Sequence, residues 1–182
     1  LLTSTMVKEQ PVQTQKTSLR IGIPREPFPL ENRVALTPQA VAALVANGHE
    51  VYLEHKAGEG SNFTNEEYTA GGAVIVYSKE EVYNRADIIT KISPPKKDEC
   101  ELIRKSQTLI SAVNMGQITA DYVETLVGKG VTAIGYEFIR SADGSIPFLE
   151  MVSQIAGVGS INIAAELLAA PAGGKGLLMG GI

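Results

Sequence analysis

The chain of 182 residues is 44% hydrophobic and 20% charged, and its formal net charge is −4 at pH 7. This length suffices for one domain with a buried core, and the composition is that of a soluble globular protein without an uninterrupted apolar run long enough to span a bilayer. A negative net charge with scattered lysines and arginines argues against nucleic acid as a main partner.

The single cysteine and the amino-terminal segment indicate the environment of the protein. Cys100 cannot form an internal disulfide and has no Cys or His partner at metal-binding spacing. We therefore expect no metal site and a reducing, cytoplasmic location. Residues 1–17 are polar and contain no apolar segment of signal-peptide length, which predicts a disordered tail.

Short apolar runs rich in β-branched residues alternate with helix-like segments from Leu19 to Gly135. This alternation predicts an α/β fold with a doubly wound, mostly parallel sheet of the Rossmann or flavodoxin-like type. The predicted strands are Leu19–Ile23, Glu50–Glu54, Ala73–Tyr77, Asp87–Ile92, Thr108–Val113 and Val131–Tyr136.

The predicted helices between these strands carry recognisable end signals. Thr64 and Ser78 are each followed three residues later by a glutamate, as in a capping box, and Thr119 opens a further helix. Left-handed residues are expected where helices end, at Gly48, Gly71 and Gly128.

The segment after Gly135 has a different sequence pattern. Met151–Leu168 reads as one long apolar helix in spite of Gly157 and Gly159. A helix that is hydrophobic nearly all round needs cover, so we expect a further domain or a subunit partner to bury it. The chain is accordingly divided into a tail (1–17), an α/β domain (18–148) and a connecting helix with a glycine-rich linker (149–182).

The loop between the first strand and the first helix contains Arg33. Pro24 ends the strand, and Thr37 and Pro38 are favourable residues for the start of a helix. Ligands of open α/β sheets bind at the carboxyl ends of the strands, where a guanidinium is suited to a carboxylate or phosphate. The structural alternative is that Arg33 pairs with Glu26 or Glu31 and only fixes the loop.

The ends of the other strands face the same edge of a parallel sheet. Ser93 and Asn114 lie there, and neither side chain can hold or release a proton near pH 7. Lys91 and Glu137 could titrate, although a lysine at a strand edge commonly extends to water. No dinucleotide fingerprint is complete, because Gly157-Val158-Gly159 follows no strand and lacks the third glycine.

Several segments together resemble one known family. They are IGIPREPFPLENRVALTP, GHEVYLEHKAGEGSNFT, DIITKISPP, ADGSIPFLEMVSQIAG and GGKGLLMGGI. In this order they are similar to the N-terminal part of the alanine dehydrogenase and nicotinamide nucleotide transhydrogenase α-subunit family, over Leu19–Ile182. The resemblance implies a substrate-side α/β domain, with NAD or NADP bound mainly by a following Rossmann domain that is not among these residues. We therefore expect this fragment to be inactive by itself.

The resemblance also assigns roles to individual residues. Arg33 occupies the position of the arginine that binds the substrate carboxylate in alanine dehydrogenases. Ser93 and Asn114 stand where those enzymes have a lysine and a histidine that bind substrate and move the proton. Ser153 matches a serine that approaches the cofactor. Arg33, Ser93 and Asn114 are thus the candidate catalytic residues and Ser153 the candidate cofactor-binding residue.

Three functions follow as alternatives. The first is an alanine-dehydrogenase-like, NAD(P)-dependent oxidoreductase with an altered proton-transfer apparatus, acting on a small carboxylate as a homo-oligomer. The second is a transhydrogenase α-type subunit with a membrane partner, although the R-A-Q-x-x-D segment of that branch is absent. The third is a non-catalytic module that binds a ligand or assists assembly.

Overall fold

A computed structural model describes residues 18–27, 30–113 and 118–179. The predicted disordered tail and Asn114 therefore lie outside the described residues. The six strands are β1 (Arg20–Ile23), β2 (Glu50–Glu54), β3 (Val74–Val76), β4 (Ile88–Thr90), β5 (Thr108–Ser111) and β6 (Thr132–Gly135). All six were predicted. Most are shorter than expected, because residues such as Lys91 and Ile92 already belong to the loops that leave the sheet.

The strands form one parallel sheet in the order β3-β2-β1-β4-β5-β6. The chain first winds from β1 to β3 in one direction and then returns to β4 beside β1, which is paired through Ile21 with Ile88 and through Gly22 with Ile89. The predicted doubly wound α/β fold is confirmed. The winding direction reverses between β1 and β4, so the loops after these two strands part there and leave a crevice.

Six α-helices accompany the strands. They are α1 (Pro38–Ala46), α2 (Asn65–Ala70), α3 (Lys79–Arg85), α4 (Lys97–Leu102), α5 (Ala120–Gly128) and α6 (Pro147–Leu168). The threonine and serine caps are as predicted: Thr37, Thr64, Ser78 and Thr119 each accept a hydrogen bond from a backbone N–H of the first turn. At Thr64 the reciprocal bond from the Thr64 N–H to Glu67 completes the capping box.

Two of the three glycines expected to be left-handed are not. Gly48 has φ +90° as predicted, whereas Gly71 has φ −77° and Gly128 is the last residue of α5. The left-handed residues are Gly72, with φ +91°, and Gly130, with φ +62°. Each helix end offers two glycines within three positions, and the sequence pattern does not distinguish which of them takes the turn.

The sheet is covered on both faces by separate clusters of buried residues. Val41 of α1 and Tyr68 of α2 pack with Ile21, Ile23, Val51 and Leu53 on one face. On the other face, residues of α3 and α5 pack with the sheet; they are Val82, Tyr83, Leu126, Ile89 and Leu109.

The long helix α6 stands apart from this core. It begins at Pro147, four residues before the predicted start, because proline is favourable at the first helical position. An 18-residue window of α6 has a mean hydropathy of 1.3, which is apolar enough to cross a bilayer by length and composition alone. None of that window is buried. The expectation that another domain or subunit covers α6 therefore stays a prediction.

Candidate functional site

A cleft of about 930 Å³ opens at the carboxyl ends of β1, β4 and β5. Its walls come from the loop after β1, from the loop between β4 and α4, and from α5. Both Arg33 and Ser93 line it, so the two loops bring together two residues that are 60 positions apart in the sequence. The cleft lies at the point where the winding of the sheet reverses.

The Arg33 guanidinium is held by Glu31. Nε donates to Glu31 Oε1 at 2.8 Å and Nη2 donates to Oε2 at 2.7 Å, while the Arg33 backbone N–H also donates to Oε1 at 2.9 Å. This is one of the two pairings expected under the structural alternative; no hydrogen bond joins Arg33 to Glu26 among the described residues. The hydrogen bond from Arg33 holds the pKa of Glu31 below its ordinary value.

The pairing with Glu31 leaves part of the guanidinium available. Glu31 occupies the edge formed by Nε and one hydrogen of Nη2, whereas a guanidinium has five N–H donors. The Arg33 side chain is 61% exposed, in contrast to 14% for Glu31. Arg33 is therefore both fixed in orientation and able to bind a second carboxylate along its other edge.

Ser93 also lines the cleft and is half-buried in the loop that leaves β4. Its backbone N–H donates to Glu26 Oε2 at 3.4 Å, and the preceding Ile92 N–H donates to Glu26 Oε1 at 2.6 Å. Pro94 and Pro95 follow and restrict the backbone. The hydroxyl group can donate or accept a hydrogen bond in the cleft but does not titrate near neutral pH.

The other two predicted site residues are not part of the described cleft. Asn114 lies outside the described residues, but Val113, immediately before it, lines the cleft and donates its backbone N–H to Glu137 Oε1 at 2.7 Å. Ser153 is exposed on α6 and does not line the cleft. It lies five residues after Phe148, whose ring packs against that of Tyr136 with 5.4 Å between the ring centroids.

Lys91 is the residue that the sequence pattern most clearly misplaced. The sequence left Lys91 as a group that could titrate or as a lysine that extends to water, whereas its side chain is 0% exposed. Its ammonium lies 3.0 Å from Glu99 Oε1 and 3.4 Å from Glu26 Oε2. The sequence contains the glutamates that pair with Lys91, but it does not show that they lie near it, because this proximity depends on the fold.

The turn after β1 does not fit a dinucleotide pyrophosphate. A binding turn at this place needs glycines that allow the phosphates to approach backbone N–H groups. Here the turn reads Pro24-Arg25-Glu26-Pro27, and the Glu26 carboxylate is buried at its centre. A pyrophosphate therefore cannot approach the backbone of this turn as it does in a glycine-rich binding turn.

Comparison with known proteins identifies the family. Residues 22–156 match the model described as "Alanine dehydrogenase/PNT, N-terminal domain". The chain belongs to this family. The expected resemblance is thereby confirmed over most of the α/β domain and the first part of α6.

Similar proteins within the family include alanine dehydrogenases and a transhydrogenase. An alanine dehydrogenase of Methanococcus maripaludis is 43% identical over 162 residues, which is 89% of this chain and 43% of that protein. A solved L-alanine dehydrogenase structure matches with a TM-score of 0.83 and 35% identity, over 90% of this chain and 45% of the other. A transhydrogenase from Sinorhizobium meliloti matches with a TM-score of 0.59 and 28% identity, over 65% and 35% respectively.

The chain thus spans less than half the length of these relatives. The fold, the cleft and the family are properties of these residues.

Proposed function

We propose that the chain is the substrate-side domain of an alanine-dehydrogenase-like oxidoreductase that interconverts an amino acid and a 2-oxo acid. The observation that carries this proposal is that Arg33 and Ser93, 60 positions apart in the sequence, line the same cleft. Membership in the alanine dehydrogenase/PNT family supports it.

Arg33 binds the substrate carboxylate in this proposal. Its free edge offers parallel N–H donors to the two carboxylate oxygens, and Glu31 keeps the guanidinium in place before the substrate arrives. Ser93 lines the pocket and donates a hydrogen bond to the keto oxygen or accepts one from the amino group. We extend this role to Asn114, which lies outside the described residues, on the family resemblance alone. Because neither residue titrates near pH 7, the proton is exchanged with water or ammonia at a lower rate than with a lysine and histidine pair.

The hydride would come from NAD(H) or NADP(H). Since the turn after β1 does not fit a pyrophosphate, we assign the dinucleotide mainly to a domain outside these residues, with Ser153 of α6 facing it. In this proposal the chain is divided into an α/β domain (18–148) and a connecting segment (149–182). The complete protein is a homo-oligomer in the cytoplasm.

A transhydrogenase α-type subunit is the second candidate. The observation in its favour is that Ser93 and Asn114 are both unable to carry out acid–base chemistry, which transfer of hydride between two nucleotides does not require. It predicts nucleotide exchange by the full-length protein with no 2-oxo acid present, and a membrane partner. The lower similarity to the transhydrogenase structure makes it the weaker candidate.

Pyruvate binding by the full-length protein tests the proposal. Isothermal titration compares the wild type with Arg33→Lys, which keeps the charge but loses the planar fork of donors. We expect the Kd to rise about tenfold or more. Arg140→Lys, at an exposed position that does not line the cleft, is the matched control and should leave the Kd unchanged.

Two results would contradict the proposal. Absence of pyruvate binding by the wild type would show that the cleft is not a pocket for this carboxylate, and it would favour the transhydrogenase or a non-catalytic module. Equal affinity of the wild type and Arg33→Lys would show that the carboxylate binds elsewhere.

A further inference from the structure

A cluster of buried charges lies behind the cleft. Lys91 is fully buried, and its two carboxylate partners, Glu26 and Glu99, are 5% and 1% exposed. Lys79, at the start of α3, adds a second ammonium 2.9 Å from Glu99 Oε1. These four residues come from the loop after β1, the loop after β4, α3 and α4, so the cluster joins segments that are distant in the sequence.

Glu26 contacts the backbone of two residues that line the cleft, Ile92 and Ser93. One carboxylate oxygen accepts the Ile92 N–H at 2.6 Å, and the other accepts the Ser93 N–H at 3.4 Å and faces the Lys91 ammonium at 3.4 Å. Glu26 itself belongs to the loop that carries Arg33. A single carboxylate thus ties the Arg33 loop to the Ser93 loop.

The negative charge of Glu26 also acts on Arg33. The pKa of Arg33 is raised mainly by its hydrogen bonds to Glu31, and the electrostatic attraction of Glu26 adds to this effect. Glu26 is therefore close enough to affect Arg33 and is in direct contact with the backbone of Ser93.

Stability alone does not account for such a cluster. Buried ion pairs are often replaceable by apolar residues of similar volume with little loss of stability, because desolvation offsets much of their attraction. What apolar residues cannot do is accept the two backbone N–H groups at Ile92 and Ser93. The carboxylate at position 26 has a geometric function that a packed core would not provide.

We propose that Glu26 is a positioning residue that sets the separation of Arg33 and Ser93 across the cleft, and that Lys91 neutralises it in the interior. This inference rests on the proposed function for the identity of the ligand. It extends that proposal by making substrate affinity dependent on a residue that does not line the main cleft.

Glu26→Gln tests the inference in the full-length protein. The glutamine has the same size, but its amide group can accept with one atom only, so one of the two N–H groups loses its acceptor. Lys91 keeps Glu99. Glu99→Gln is the matched control, because it alters the same buried cluster without touching the Ile92 or Ser93 N–H.

We expect Glu26→Gln to raise the Kd for pyruvate about tenfold, since small displacements of binding groups have large effects on a positioned ligand. Deuterium uptake of the peptide that covers residues 90–95 should increase. Glu99→Gln should lower the melting temperature at least as much, yet change the Kd less than twofold. If the cluster had only a structural role, Glu26→Gln and Glu99→Gln would change the Kd for pyruvate by similar factors.

The possible results separate this inference from the proposed function. An unchanged pyruvate Kd in Glu26→Gln, with wild-type binding intact, would overturn the inference and leave the proposed function standing. If the wild type binds no pyruvate, the proposed function fails. Independently of that result, unchanged deuterium uptake at residues 90–95 in Glu26→Gln would overturn the positioning role. If Glu26→Gln does not fold, the shorter Glu26→Asp takes its place with the same expected results.

Discussion

Arg33 pairs with Glu31 and also lines the cleft, so the two alternatives that the sequence left for this residue do not exclude each other. The pairing with Glu31 and the exposure to the cleft coexist, because a guanidinium has more donors than one carboxylate uses. The pairing with Glu31 could be predicted from two nearby opposite charges. That Glu26 would instead turn to the Ser93 loop could not, because this contact depends on the order of the strands.

Glu31→Gln tests whether Glu31 orients Arg33 or competes with the substrate. If Glu31 orients the guanidinium, its loss adds the cost of immobilising Arg33 on binding, about 0.5–1.5 kcal/mol. The Kd for pyruvate should then rise by a few-fold in an isothermal titration. A lower Kd would show that Glu31 competes with the ligand.

Tyr83 and Tyr68 form a matched pair for the cost of burying a hydroxyl group. Both side chains are fully buried, but the Tyr68 hydroxyl donates to Leu36 O at 2.8 Å, whereas that of Tyr83 has no hydrogen-bond partner among the described residues. We expect Tyr83→Phe to raise the free energy of unfolding by about 1 kcal/mol, and Tyr68→Phe to lower it by about 1 kcal/mol. Urea denaturation measures both, and a loss of stability in Tyr83→Phe would contradict the assignment.

At the scale of the elements, local signals predicted most starts of helices and few of their ends. Thr37, Thr64, Ser78 and Thr119 cap the helices as expected, because a capping side chain acts within three residues of its own position. The end of α4 depends instead on a distant residue. Lys129, just after α5, donates from Nζ to the carbonyl oxygens of Cys100, Glu101 and Ile103 at 2.8, 2.8 and 2.7 Å.

Lys129→Met should therefore destabilise the domain. The substitution leaves three carbonyl groups without their charged donor, which we expect to lower the free energy of unfolding by about 1.5–3 kcal/mol in urea denaturation. Lys105→Met is the control, because Lys105 is exposed in the turn after α4. Equal effects of the two substitutions would contradict the capping role of Lys129.

Gly22 shows how closely an element can approach the sheet. A Cβ atom at this position would lie 2.8 Å from both Ala86 Cβ and Val82 Cγ1, so α3 packs directly on the backbone of β1. Gly22→Ala should lower the free energy of unfolding by about 1–3 kcal/mol through overpacking. Gly157→Ala, in α6, has no atom within 4 Å of the added Cβ and should be neutral or slightly stabilising in the same urea denaturation experiment. Equal effects of the two substitutions would contradict the close packing.

At the scale of the whole molecule, periodicity was sufficient to predict the parallel sheet and the long apolar helix. It was insufficient for the buried charges, because Glu26, Lys91 and Glu99 come together only when β1 and β4 are neighbours. The partner of α6 is also beyond the sequence pattern. The pattern indicates an apolar surface without indicating what covers it.

Glu99, which is buried, and Glu54, which is partly buried, predict a pH dependence of stability with opposite signs. Burial by itself raises the pKa of Glu99. The charges of Lys91 and Lys79 and the hydrogen bond from the Lys96 N–H together lower it by more, so the folded-state pKa lies below the ordinary 4.5. Its contribution is present above pH 4.5 and is lost as the pH falls through the folded-state pKa. Burial holds the pKa of Glu54 above 4.5, so its contribution is lost as the pH rises.

Urea denaturation between pH 3.5 and about pH 7 distinguishes the two glutamates. Glu99→Gln should flatten the loss of stability in acid, while Glu54→Gln should make the protein relatively more stable toward neutral pH. Parallel curves for the wild type and both variants would contradict these pKa directions.

The most direct test of the central claim is the steady-state rate of reductive amination of pyruvate by the full-length protein. It is assayed beside the alanine dehydrogenase of Methanococcus maripaludis, with NADH and with NADPH. Because Ser93 and Asn114 cannot carry out acid–base catalysis, we expect a rate about 10²-fold or more below that enzyme, and a gain in the Ser93→Lys, Asn114→His double variant. A wild-type rate equal to that of the relative would contradict the account.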